Sequence, residues 1–139
     1  MKRDTLPEAP AFAFRLDAHS GIPVYRQLID QVQGAIAMGL LRPGDQLPTV
    51  RQVAVELEIN PNTVLRAYRE MEIRGLLDTQ QGTGTFIAER PTEPARGERD
   101  RQLAQLAAEF VSRAGASGFA VSDLQDALNR LQNKQQQRR

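Results

Sequence analysis

Between Gly39 and Gly84 the chain is interrupted at short intervals by residues that end one helix and begin another. Ahead of this stretch, Leu28, Ile29, Val32, Ala35 and Ile36 recur at helical spacing, which predicts a helix from Val24 to Met38 that Gly39 stops. Leu40 to Asp45 carries the Pro43-Gly44 pair and is predicted to turn. Thr49 and Gln52 have capping-box spacing, so a short second helix follows, with Val50, Val53, Ala54 and Leu57 on one face. Asn60-Pro61 opens a third helix, because the Asn side chain can cap it and a proline N–H is not needed there. That helix is expected to run to about Arg74, with Gly75 as its terminator. Leu76–Gln80 and Thr85–Ala88 read as two short strands, joined through Gln81-Gly82-Thr83-Gly84, where glycine supplies the positive φ of a tight hairpin.

Three helices followed by a glycine-tipped hairpin is the element order of a winged helix-turn-helix. The expected fold is therefore mainly α with a small β-hairpin, and the expected winged domain covers residues 21–88. Residues 1–20 are rich in Pro and Ala without periodicity and read as an N-terminal arm. Residues 89–100 are rich in Pro, Gly and charge and read as a linker. Within 101–139, Leu103, Leu106, Ala107, Phe110, Val111 and Ala114 form one apolar stripe. Gly115 and Gly118 flank a break, and Ser122 to Gln125 is read as another capping box. Val121, Leu124, Leu128 and Leu131 form a second stripe, ahead of a polar tail from Gln132.

Composition removes several functions. The chain of 139 residues has no cysteine and one histidine, His19, so thiolate chemistry and histidine clusters are excluded. No metal site and no cofactor is expected. There is no phosphate-binding loop, dinucleotide fingerprint or nucleophile motif, and an enzyme is not expected. No apolar run approaches the roughly 20 residues that cross a bilayer, and no signal-peptide profile opens the chain. A cytoplasmic protein without a membrane partner is the expectation. Charge gives no bulk argument for nucleic acid. The net charge is +1, and residues 1–90 hold 10 Lys and Arg against 11 Asp and Glu.

Any DNA contact must then come from where particular residues sit. On a helical wheel Ala67, Tyr68 and Met71 fall within about 60° of Val64, while Asn62, Arg66 and Arg69 fall about 140–200° away. The third helix thus has a face to bury and an opposite face of Asn and Arg, with Thr63 on the flank. In helix-turn-helix readers this helix enters the major groove. There Arg can pair with guanine and Asn with adenine, while the Thr methyl can meet thymine. Arg51, at the start of the preceding helix, could reach a phosphate or base edge. Gly82, Thr83 and Gly84 would form a wing tip able to approach the duplex. Plainer readings stand beside these: Arg66 and Arg69 simply solvated or paired with Glu70 and Glu72, Arg51 paired with Glu56 or Asp45, and the glycines serving only the hairpin. A protein–protein adaptor or anti-repressor built on the same fold is the alternative function.

The stretches Pro23–Leu28, Leu41–Arg51, Asn60–Val64, Ala67–Glu72, Arg74–Leu77 and Gly82–Phe86 together resemble the GntR family of bacterial transcription regulators. The resemblance covers about half the chain. It implies a winged helix-turn-helix that binds double-stranded operator DNA, with contacts at Arg51, Asn62, Thr63, Arg66 and the wing tip around Gly82. Many family members carry Arg where this chain has Asn62. The short helical segment after the linker resembles the YtrA subfamily, in which two such helices serve dimerisation and the regulator, often a repressor, controls nearby transporter genes.

The residues make a separate case for a homodimer. Two short amphipathic helices cannot bury their stripes on each other completely. Leu103, Leu106, Phe110, Val111, Val121, Leu124, Leu128 and Leu131 are therefore expected to meet a partner surface, a second copy or the winged domain of the same chain. A dimer would place two recognition helices on an inverted repeat. Two helices alone are too small to enclose a small-molecule effector. Any such site is expected between subunits or domains, with Phe110 and Phe119 as its lining.

Overall fold

The structure is a computed structural model and describes residues 12–89 and 96–136. It comprises two compact units, one ending at Arg90 and the other starting at Pro91. In the first unit α1 (Val24–Ala37), α2 (Val50–Leu57) and α3 (Pro61–Ile73) pack together. They enclose Leu28, Ile29 and Val32 from α1, Val53 and Ala54 from α2, and Val64, Ala67, Tyr68 and Met71 from α3, all buried. Strand β1 (Gln46–Leu47) lies ahead of α2, while β2 (Leu77–Gln80) and β3 (Gly84–Ile87) follow α3. They form an antiparallel sheet in the order β1-β3-β2. Leu47, Leu77 and Ile87 point from this sheet into the same core.

The helix ends follow the chemistry legible in the sequence. Thr49 accepts from the Gln52 N–H while the Gln52 side chain accepts from the Thr49 N–H, the reciprocal box. Asn60 Oδ1 accepts from the Asn62 N–H at 2.8 Å, with Pro61 as the first helical residue. At the end of α3, Gly75 has φ +77°; its N–H donates to the Glu72 carbonyl and that of Leu76 to the Met71 carbonyl. This pair of bonds is a Schellman cap. The same pair closes α2, with the Glu58 N–H on Val55 and the Ile59 N–H on Ala54, but here a glutamate occupies the left-handed position at φ +56°.

Two features of the first unit lie outside the sequence reading. Strand β1 adds a third strand to the expected hairpin; at two residues it is too short to show any alternation. The segment before α1, though aperiodic, is fixed to the unit from Phe12 onward. Phe14 is buried and Phe12 packs edge-on to it with ring centroids 4.9 Å apart. Two glutamines one turn apart on α1 hold the backbone. Gln31 Oε1 accepts from the Arg15 N–H and its amide donates to the Arg15 carbonyl. Gln27, buried, accepts from the Asp17 N–H and donates to the Asp17 and Ile22 carbonyls and the Ser20 hydroxyl. Buried polar groups of this kind are held because an unpaired one is costly.

The second unit consists of α4 (Arg96–Ala116) and α5 (Val121–Gln136). Gly118, at φ +85°, ends α4, while Gly115 lies inside it. The expected cap at Ser122 is displaced. Ser122 lies inside α5, and Asp123 Oδ2 accepts instead from the Ala120 N–H at 2.8 Å. The helix starts one residue before Ser122, so the side chain three positions past Ala120 does the reaching back. No residue from 97 to 134 is buried, and only Ala114 and Leu124 are half-buried.

Candidate nucleic-acid interface

The face that α3 turns away from the core is set by its buried face. Val64, Ala67, Tyr68 and Met71 are all 2 % exposed or less, which leaves Asn62, Arg66 and Arg69 outward. These three residues line one shallow depression of about 330 Å³ together with Leu65, Glu70 and Ile73. Thr63 is half-buried and is not among the lining residues. Tyr68 anchors the helix: its hydroxyl donates to the Pro48 carbonyl, just before the Thr49 cap of α2. Burial raises the Tyr68 pKa above its ordinary value, so the phenol stays protonated and keeps donating. One hydrogen bond thus ties the middle of α3 to the beginning of α2.

The carboxylates near this face are engaged elsewhere. Glu70 pairs with Arg74 at 3.3 Å, and Glu72 accepts from the Thr79 hydroxyl at 2.6 Å, which ties the end of α3 to β2. Among the described residues, Arg66 and Arg69 make no ion pair with either. Arg66 instead lies over the ring of Tyr25 at the start of α1, with Cζ 3.9 Å from the ring centroid. Arg51 is exposed on the first turn of α2 and makes no ion pair with Asp45 or Glu56; Asp45 accepts from the Arg42 N–H. None of these three arginines belongs to a structural salt bridge among the described residues, and all three are exposed.

The wing is held from one side by β1. Gly82, at φ +79°, turns the hairpin with open space where a Cβ would stand. Gly84 has a different reason to be glycine. Its φ is +137°, and a Cβ there would lie 2.5 Å from the side-chain nitrogen of Gln46. That amide donates to the carbonyl of Thr83 at 3.3 Å, so β1 grips the wing tip through the space Gly84 leaves. Thr83 itself is exposed. Tyr25 and Gln46, neither of them a candidate by sequence, lie against two of the candidate residues, Arg66 and Thr83. Both fall within the stretches that carry the family resemblance, but only the folded chain sets them beside those two residues.

In the second unit the residues expected to meet a partner are Leu103, Leu106, Phe110, Val111, Val121, Leu128 and Leu131, exposed by 39 to 68 %, and the half-buried Leu124. Phe119 and Phe110 are each 59 % exposed. No group of metal-binding side chains occurs among the described residues, and no described helix is long and apolar enough to cross a membrane.

Comparison with known proteins places this arrangement. The profile of the bacterial regulatory proteins of the gntR family matches residues 24–87, from the start of α1 to the end of β3. The chain is 43 % identical over 75 residues to the HTH-type transcriptional repressor YtrA of Bacillus subtilis, a match taking in 54 % of this chain and 58 % of that protein. It is 41 % identical over 110 residues to an HTH-type transcriptional regulator of Mycobacterium tuberculosis, covering 78 % of this chain and 85 % of that one. Among solved structures, YtrA from Sulfolobus acidocaldarius, a GntR-family transcription factor, superposes with a TM-score of 0.51 at 30 % identity, over 68 % of this chain and 97 % of that one.

Proposed function

Since the chain belongs to the GntR family of bacterial regulators, on the YtrA-like branch, we propose that it binds an inverted-repeat operator as a homodimer and represses transcription. The observation that carries this reading is the outer face of α3, where Asn62, Arg66 and Arg69 converge with their polar groups unspent on neighbouring carboxylates. Arg66 and Asn62 read base edges, with Thr63 on a base or phosphate at the groove edge. Arg51 and Arg69 lie against the phosphate backbone on either side. The wing tip, Gly82 to Gly84, approaches the adjacent groove. A unit with a net charge near zero gains little from bulk attraction, so these few contacts must be well aimed.

The second unit supports the dimer. Two helices with no buried residue between 97 and 134 have no core of their own, whereas in proteins most helical stability comes from packing an amphipathic face. A second copy presents the same stripes and is self-complementary by symmetry. Two linked recognition helices multiply their affinities, which offsets the small number of contacts from each. The transporter genes neighbouring such regulators are the proposed targets.

The test is selection of bound duplexes from a randomised pool, followed by Arg66→Ala. The parent should enrich an inverted repeat. The variant should lose about 1–3 kcal/mol of specific binding per half-site and relax base choice at one position. A parent that enriches no duplex at low salt would overturn the reading. An adaptor would behave in that way.

A further inference from the structure

We infer that Tyr25, on a helix outside the helix-turn-helix pair, is a positioning residue for base recognition by Arg66. The inference rests on the DNA-binding reading above and adds to it a residue that this reading does not need. Its basis is the seat of the guanidinium: Arg66 is exposed on α3, yet its Cζ lies 3.9 Å from the centroid of the Tyr25 ring. The ring is half-buried and packs against the core, so it is a fixed surface rather than a second mobile side chain.

The physical consequence differs from that of an ion pair. Arg74, paired with Glu70, has spent its Nε–H donor on a carboxylate. A cation held on a ring face is attracted by the ring's quadrupole and uses no N–H donor for it. Among the described residues, no hydrogen bond or ion pair takes the Arg66 donors. All five remain for a base edge, while the long side chain, otherwise free over many rotamers, is confined before DNA arrives. Ordering a side chain in advance removes part of the entropy cost of binding. Tyr25 therefore sharpens the contact without touching the duplex.

The experiment uses the full chain and the duplex selected by the parent. Tyr25→Phe keeps the ring and should bind and discriminate as the parent does. Tyr25→Leu should weaken operator binding about threefold to tenfold, the size expected for re-immobilising one long side chain. Its loss should fall on the base position whose preference Arg66→Ala abolishes, and the salt slope should stay the same because no phosphate contact is removed. In an Arg66→Ala background, Tyr25→Leu should have no further effect. As a second series independent of packing, phenylalanines of increasing ring fluorination at position 25 keep the shape and drain the π face, and should weaken binding step by step.

The inference is overturned if fluorination leaves affinity unchanged, or if Tyr25→Leu folds and discriminates as the parent. It is overturned equally if Tyr25→Phe loses as much as Tyr25→Leu, or if the leucine effect persists undiminished without Arg66. If the parent enriches no duplex, the DNA-binding reading fails first and takes this inference with it.

Discussion

At the scale of single residues, two positions show how little chemistry separates a scaffold from a site. Tyr68 is a core residue by its ring and a tether by its hydroxyl, bonded to the Pro48 carbonyl. Removing that hydroxyl with Tyr68→Phe should cost about 1 kcal/mol at neutral pH, measured by urea unfolding. The variant should also change the alkaline limb. Burial raises the Tyr68 pKa above the ordinary 10.0, so as pH climbs past that value the unfolded chain loses this proton before the folded one. The unfolded state then binds fewer protons, and stability falls with rising pH. In Tyr68→Phe that part of the decline should vanish, and an unchanged slope above pH 10 would contradict the assignment. Gly84 makes the second case. With φ at +137° and the Gln46 amide 2.5 Å from any added Cβ, Gly84→Ala should strain both backbone and contact. A cost of about 1–3 kcal/mol is expected in thermal unfolding. Adding Gln46→Ala should restore only the part due to the clash, since the φ remains one that alanine avoids.

At the scale of elements, the helix ends carry the argument. Both α1 and α3 close on glycine, as their sequences announce, whereas α2 closes on Glu58 at φ +56°. An L-residue in that conformation is disfavoured by roughly 1–2 kcal/mol. Glu58→Gly should therefore stabilise the first unit by about 1 kcal/mol without changing operator affinity, because Glu58 caps the turn and is not on the outer face of α3. A shift of the unfolding midpoint in the opposite direction would show that the glutamate side chain has a use of its own. The caps at Thr49, Asn60 and Gly75 were legible because each bond joins residues within five positions of one another. The cap of α5 lies at Ala120 rather than the expected Ser122 for a related reason: several side chains in one short stretch can cap, and the tract itself does not say which start is used. Strand β1 was illegible, since two residues display no period and its partner β3 lies about 40 positions away.

At the scale of the whole molecule, the two units contrast. The first buries a continuous core. The second buries no residue between 97 and 134 and presents apolar stripes on both helices. Under the dimer proposal, Leu106→Glu combined with Leu128→Glu should convert the chain to a monomer in sedimentation equilibrium while the first unit still melts cooperatively. Affinity for an inverted repeat should then fall by roughly 100-fold or more. Binding to an isolated half-site should be unchanged. A parent chain that sediments as a monomer at all concentrations would defeat the proposal.

What the sequence determined by itself was the order of helices and wing, the caps at Thr49, Asn60 and Gly75, and the split of α3 into a buried and an outward face. Those follow from bonds between near neighbours and from a repeat of hydrophobic positions, both written along the chain. What the tertiary structure alone decided was how the outward face is equipped. Gln27 and Gln31 pin the segment before α1, Gln46 grips the wing tip, and Tyr25 seats Arg66 across 41 positions of sequence. Each joins residues that become neighbours only after the core has formed. No residue type at any one of those positions foretells its partner.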